Sequence, residues 1–495
     1  MMEEFRPGES RVEEISPWIG CWEMDQDEYF RQMRADVDRI LGQVAEAVNN
    51  APDGNVINGS EMQVRDLMTE LRKIAYEKAV QMRIDSTESS FPPPQDAAGQ
   101  PKQNKGRSSR SRLTANGRID MRRRRWQADG EGSDTPVDRL LDQAESLVSV
   151  GTRELCCRLG VAGGSFGRAV QNLHRAAGIK MSEEKFRQIV EAEGQAVLAV
   201  SENEPLELDF SAAQCKTRTP EGQEVSRLYA GCDGVLVPLT TQAEKAQRRE
   251  TILRQRREKR PAKGRKRTRL SALKRAADQR YKQFYLTAFY DQVQQHRLVG
   301  VTRQDHKGLG KLLRRDGARV RLRGAEQRIG LIDGATHLRK HMQRLPLTAL
   351  GLDFFHLSGH VHEGCRTTFG EENAEGSAWA GDVLHTVRHD GYEPFWEKLV
   401  DWRGDQRGRR RKAADDLLHY VAERREMIAY DEFERQGWKI GSGPIEAMCK
   451  ATTRRLKGPG MRWDADNAEA MMALETLYQS NLWDRYWTNA LCHPN

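Results

Sequence analysis

The chain has no run of about 18 apolar residues anywhere in its 495 positions, which excludes a membrane-spanning helix. It has no basic-then-apolar leader, since it opens Met1-Met-Glu-Glu-Phe-Arg, so export is not expected. Its eight cysteines, at 21, 156, 157, 215, 232, 365, 449 and 492, form no C-x-x-C pair. That spacing indicates neither a zinc ribbon nor a disulfide framework, and a reducing cytoplasm with free thiols fits it. Any catalytic metal must then be held by carboxylates. No internal repeat of fixed period is present. What the chain does have is charge: 31 % of residues are charged and the formal balance is +8. Because the first forty residues are acidic, the Lys and Arg excess lies downstream, which points to a polyanionic partner such as nucleic acid.

The periodicity divides the chain into six segments. Residues 1–90 form a helical N-terminal region, with Phe30, Met33, Val37, Ile40 and Leu41 at helical spacing. Segment 91–135 begins with a Pro-, Gly-, Ser- and Gln-rich stretch, Phe91 to Arg112, that reads as a flexible linker. It ends in a basic strand, Arg118 to Trp126, whose Arg122, Arg123 and Arg124 suit phosphate contacts or equally a solvated edge. Segment 136–205 is helical and carries a candidate helix-turn-helix. There Ser165 would cap a second helix that offers Arg168, Gln171, Asn172 and Arg175 to a groove; an ordinary helical hairpin fits as well. Strands dominate 206–361: Leu228–Leu239, Phe284–Tyr290, Leu298–Thr302, Arg328–Asp333 and Leu350–Phe355. They are interrupted by a basic run, 245–282, with seventeen Lys or Arg among thirty-eight residues. Such a run orders only against a polyanion. Residues 362–435 read as a helical insertion with a basic cluster at Arg407–Lys412, and 436–495 as a closing helical segment.

Three acids stand where an apolar element ends or a helix begins. Asp233 interrupts the apolar strand Leu228–Leu239, where a carboxylate is costly unless neutralised. Asp333 ends Ile329-Gly-Leu-Ile-Asp, although Asp-Gly alone usually marks a turn. Glu446 follows Gly441-Ser-Gly-Pro-Ile, with Pro444 suited to the first helical position, although an acid there can also simply answer the helix dipole. An acid on a first long strand, another ending a fourth and a third on a later helix is the RNase H-like order. Such a set suits two magnesium or manganese ions, which accept oxygen ligands and leave positions for phosphate and water. Glu446, Lys450 and Arg454 share one helix face, and Lys457-Gly-Pro-Gly-Met-Arg462-Trp463 offers two cations and an aromatic to a phosphate or a splayed base. Asp209, in Leu206-Glu-Leu-Asp-Phe, competes with Asp233, and Asp353 competes with Asp333 or joins it.

The block Tyr430 to Glu446, followed by Lys450 and Lys457 to Trp463, resembles the C-terminal signature of bacterial insertion-sequence transposases of the ISKra-type group. Cys232-Asp-Gly-Val-Leu-Val-Pro238 and Leu331-Ile-Asp-Gly-Ala335 are similar to that group's two aspartate motifs, and Leu352–Leu357 with His360 resembles its following strand. The resemblance runs over about 112–487 and is most specific at 437–463. It implies an α/β protein with an RNase H-like mixed-sheet core, a helical DNA-binding region ahead of it, and a helical insertion before the glutamate. It implies Asp233, Asp333 and Glu446 as the metal-binding triad, and a dimer or higher oligomer on double-stranded DNA at the nucleoid. Two features depart from the group: no upstream cysteine-pair zinc motif, and an unusually long basic insertion. The expected activity is metal-dependent strand cleavage and strand transfer of an insertion sequence. A structure-selective nuclease or domesticated recombinase, or a non-catalytic DNA-binding regulator, are the competing readings.

Overall fold

The computed structural model describes residues 26–141, 147–258 and 279–492. The acidic start, 1–25, and most of the basic run, 259–278, lie outside them. Packing divides the chain into two bodies, one holding residues up to 155 together with 171–180, the other 156–170 and 181–492.

In the first body, α1 (Gln26–Asn49) turns back along α2 (Val56–Ser90), with Lys78 pairing Asp36 at 2.7 Å and Arg39 pairing Glu70 at 3.1 Å. A hairpin follows, β1 (Gln103–Thr114) and β2 (Gly117–Gln127), then a short helix, α3 (Asp138–Leu141). The hairpin corrects the flexible-linker reading of 91–112. Strand β1 is polar, so no apolar alternation announces it, whereas β2 contains the expected basic strand Arg118 to Trp126. They are held by their own ladder and by α2, whose Gln81, Glu77 and Glu88 side chains accept from the backbone N–H groups of Arg122, Asp120 and Arg124. Ile84, Ile119, Met121 and Val137 form a small core beneath.

Helices α4 (Val150–Ala162) and α5 (Phe166–Ala177) bound a short turn, close to the expected helix-turn-helix limits, and the Ser165 hydroxyl accepts from the N–H of Arg168 at 3.1 Å. Helix α6 (Glu183–Asn203), capped by Ser182, leads into the second body's sheet. Its strands are β3 (Lys216–Arg218), β4 (Glu224–Pro238), β5 (Tyr281–Tyr290), β6 (Arg297–Thr302), β7 (Gln327–Ile332) and β8 (Ala349–Leu352). Helix α7 (Gln242–Glu258) leaves β4, α8 (His306–Arg319) follows β6, and α9 (Thr336–Met342) follows β7. The strand order is β6-β5-β4-β7-β8, with β3 beside the start of β4. Strands β4, β5 and β6 are antiparallel, whereas β7 and β8 run parallel to β4. Strand β4 is therefore central, which explains its apolar run: both neighbours and both faces are covered.

Two strand expectations fail. Leu206–Phe210 is not a strand, and Asp209 is exposed on a loop, so it is no rival to Asp233. The chain also leaves β8 at Leu352. Asp353 is the N-cap of helix α10 (Phe354–Phe369), so the segment Leu352–Leu357 is a strand end and a helix start rather than one strand. From α10 the chain is helical through α11 (Ala374–His389), α12 (Tyr392–Gly404), α13 (Gly408–Ala422) and α14 (Tyr430–Arg435). It then enters α15 (Gly443–Arg454), α16 (Ala465–Gln479) and α17 (Trp483–Cys492). No helix among the described residues is long and apolar enough to cross a membrane, and the six described cysteines that are free are all buried.

Candidate active site

The position of the two aspartates follows from strand register. Strands β4 and β7 pair in parallel as Arg227 with Gln327 through Gly231 with Leu331, a constant offset of 100 residues. Asp233 lies two residues beyond Gly231 within β4, and Asp333 two residues beyond Leu331, immediately past the end of β7, so the register carries the two toward each other.

The glutamate arrives on α15, which packs against β4 by an unusually close approach. A Cβ at Gly231 would stand 1.7 Å from Cδ1 of Ile445. Ile445 is buried and immediately precedes Glu446, so the missing side chain at 231 is what lets the helix bring its acid to the sheet. Asp233, Asp333 and Glu446 line one cavity of about 460 Å³, together with Lys450, Lys457 and His356. The Lys450 ammonium lies 3.8 Å from Glu446 and is largely exposed.

Asp233 accepts from the N–H of Gly234 at 2.6 Å, and Asp333 from that of Ala335 at 3.0 Å. Among the described residues neither has a cationic partner within ion-pair distance. Burial pushes the Asp233 carboxyl above its ordinary range; hydrogen bonds from Gly234 and Cys449 pull it back, while the charges of Asp333 and then Glu446 push it further up. The two aspartates are thus unpaired acids, while Lys450 and Lys457 line the same cavity. Among the described residues no three His, Cys, Asp or Glu side chains converge into a ready-made ion cage. The donor class nevertheless suits magnesium, which takes one or two protein carboxylates and completes its shell with water and phosphate.

Asp353 is fully occupied elsewhere. One of its oxygens accepts from the N–H of His356 at 2.6 Å, the other from the N–H of Ser442. It is 2 % exposed and does not line the cavity, so its place is that of an anchor joining the start of α10 to the loop before α15. Arg424, beyond the end of α13, donates through Nε to the carbonyl of Gly334 at 3.0 Å and stacks over Tyr420 at 3.9 Å. It thus buttresses the turn that carries Asp333. His356, Cys449 and Arg424 were not singled out from the sequence. A signal existed only for the helix start, because Asp353 suits an N-cap, but the apolar run around it read as a strand.

The remaining candidate contacts are dispersed. Arg454 is exposed on α15 but away from the cavity lining, and Arg462 pairs Glu244 at 3.2 Å. Trp463 is buried against Phe166 with Arg455 over its ring, so it is not presented to a splayed base; its backbone N–H donates to the carbonyl of Pro238 at the end of β4. Arg168 is exposed. Arg122 is exposed too, whereas Arg123 is buried against Asp138 and Arg124 donates to the carbonyl of Glu88.

The sequence matches no protein-family profile and no curated protein. Among solved structures, it is weakly similar to the Drosophila P element transposase strand transfer complex. The TM-score is 0.24 and the identity 10 %, over 72 % of this chain and 85 % of that one. So distant a likeness carries no weight for fold or activity, and it points to no particular transposase group.

Proposed function

We propose that this chain is a DNA transposase of the Asp-Asp-Glu class, with an RNase H-like core, that cuts and joins phosphodiesters. The observation that carries the reading is that one cavity is lined by Asp233, Asp333 and Glu446, the first within β4 and the second directly after its parallel neighbour β7. The sheet order, with three antiparallel strands followed by two parallel ones around a central first strand, supports the RNase H-like assignment. Asp233, Asp333 and Glu446 would hold two magnesium or manganese ions, which supply activation of the attacking oxygen and stabilisation of the leaving one. Lys450 and Lys457, exposed at the cavity, neutralise the backbone phosphates that enter it. Joining two element ends calls for a dimer or larger assembly on double-stranded DNA, and the C-terminal motif favours the ISKra-type insertion sequences as the source.

The test uses the full chain, labelled duplexes taken from the DNA flanking its gene, a supercoiled target plasmid, and Mg2+ or Mn2+. The expected result is metal-dependent nicking followed by strand transfer, with both lost in Asp233→Ala and duplex binding kept. Nicking without transfer would instead favour a structure-selective nuclease. Full activity in Asp233→Ala would overturn the assignment of the site.

A further inference from the structure

The first body holds a cleft of about 710 Å³ formed by α2, the β1–β2 turn and the end of α5. Lys73, Arg118, Arg175 and Lys180 line it, contributed by three separate stretches of chain. None of the four has an acid within ion-pair distance among the described residues. The acids of the cleft are already engaged: Asp66 with Arg65 at 2.9 Å and Glu70 with Arg39 at 3.1 Å. Lys102 in the same body is paired by Glu131 and Asp134, whereas the cleft gathers four unpaired cations from three stretches of chain, a concentration of charge that suits an external anion.

The lining indicates which anion. Small-molecule pockets are mainly apolar and aromatic with a few converging polar groups. This cleft is mainly charged and amide-bearing, with Asn116 and Gln171 beside the cations. Hydroxyl, amide and cationic side chains on an open surface are the donors that contact phosphodiester backbones. No Phe, Tyr or Trp lines the cleft, which removes the stacking platform that single strands require.

We infer that this cleft binds the phosphate backbone of duplex DNA, as a site independent of the carboxylate cavity and of any metal. The inference rests on the proposed function only for the choice of DNA as the polynucleotide.

Fluorescence anisotropy of the full chain on a labelled duplex of about 30 base pairs in chelator tests it, since no catalysis is needed. The variant Lys73→Gln/Arg118→Gln/Arg175→Gln/Lys180→Gln should weaken binding by at least about 10-fold and lower the slope of log K against log salt by about 3. The paired variants Lys73→Gln/Arg118→Gln and Arg175→Gln/Lys180→Gln should each give part of that loss, and they stand in should the fourfold variant fold poorly. An equal change of net charge at the exposed Lys311, Arg314, Arg323 and Lys340 should leave the slope within about 1 of the parent. Unchanged affinity in the cleft variants, an equal loss in the control, or tighter binding to duplex RNA of the same sequence would overturn the inference. None of these outcomes depends on whether the protein nicks DNA.

Discussion

Gly231→Ala tests how the glutamate reaches the sheet. The added methyl would stand 1.7 Å from Cδ1 of Ile445 and 3.0 Å from the carbonyl oxygen of Leu331. Carbon atoms in contact lie about 3.5–4.0 Å apart, so the overlap is about 2 Å. The Leu331 carbonyl is fixed in the β4–β7 ladder and cannot yield. Ile445 must, but it is 2 % exposed and has little room to turn. Overpacking of this kind costs about 1–3 kcal/mol, and a helix displaced by about 1 Å misplaces Glu446 enough to cost on the order of 100-fold in rate. Ile445→Val deletes the clashing atom, at an ordinary cost of about 0.5–1.5 kcal/mol. In a double-mutant cycle read by thermal melting and metal-dependent nicking, the double variant should therefore be more stable than the sum of the singles by about 1 kcal/mol or more, and should regain part of the activity. Strict additivity, or a Gly231→Ala protein that nicks as well as the parent, would refute the account of how α15 docks.

Two further outcomes follow from the same geometry. Arg424→Lys keeps the charge but loses the planar stack on Tyr420 and the directed bond to Gly334. It should lower nicking about 10- to 100-fold with apparent metal affinity falling alongside and little change in melting temperature; unchanged metal titration would show that Arg424 does not position Asp333. His341 has its pKa pushed below the ordinary 6.5 by burial and then by neighbouring cations, so the unfolded chain takes up its proton first as pH drops. The stability it contributes is present above pH 6.5 and is lost as pH falls through the depressed folded value. His341→Gln should thus flatten the decline in melting temperature between about pH 7.5 and 5.5, and an unaltered decline would rule this residue out as its source.

Much of the candidate site was legible because it depends on local pattern. Asp233 stands out because β4 is central and apolar throughout, Asp333 because β7 ends on it, and Glu446 because Gly-Ser-Gly-Pro announces a helix start. What was not legible depends on partners distant in sequence. Strand β1 has no apolar face, and its order comes from α2 side chains that accept its partner's backbone N–H groups. Trp463 beside Arg462 reads as a surface pair, yet Phe166, almost three hundred residues earlier, buries it. Leu352–Leu357 reads as a strand because its apolar residues are close together, while the deciding feature is Asp353 accepting from the N–H of His356.

Asp353 also bears on how the cavity stays assembled across the long helical excursion. The excursion begins at α10, which Asp353 caps, and returns at Ser442, whose N–H donates to the same carboxylate. Next to this closure, the N–H of Phe354 donates to the carbonyl of Ile440, and the N–H of Asp353 donates to the carbonyl of Ile332 at the end of β7. The excursion is therefore closed at its base beside the residue that precedes Asp333, and Arg424 from within it grips the turn just after. Asp233 is held in the β4–β5 ladder and Asp333 directly follows β7, whereas Glu446 is set by the Gly231–Ile445 contact and by this closure. The excursion thus reaches Glu446 through this closure and Asp333 through Arg424, so changes among α10–α14 should act on catalysis through those two acids before they act on Asp233.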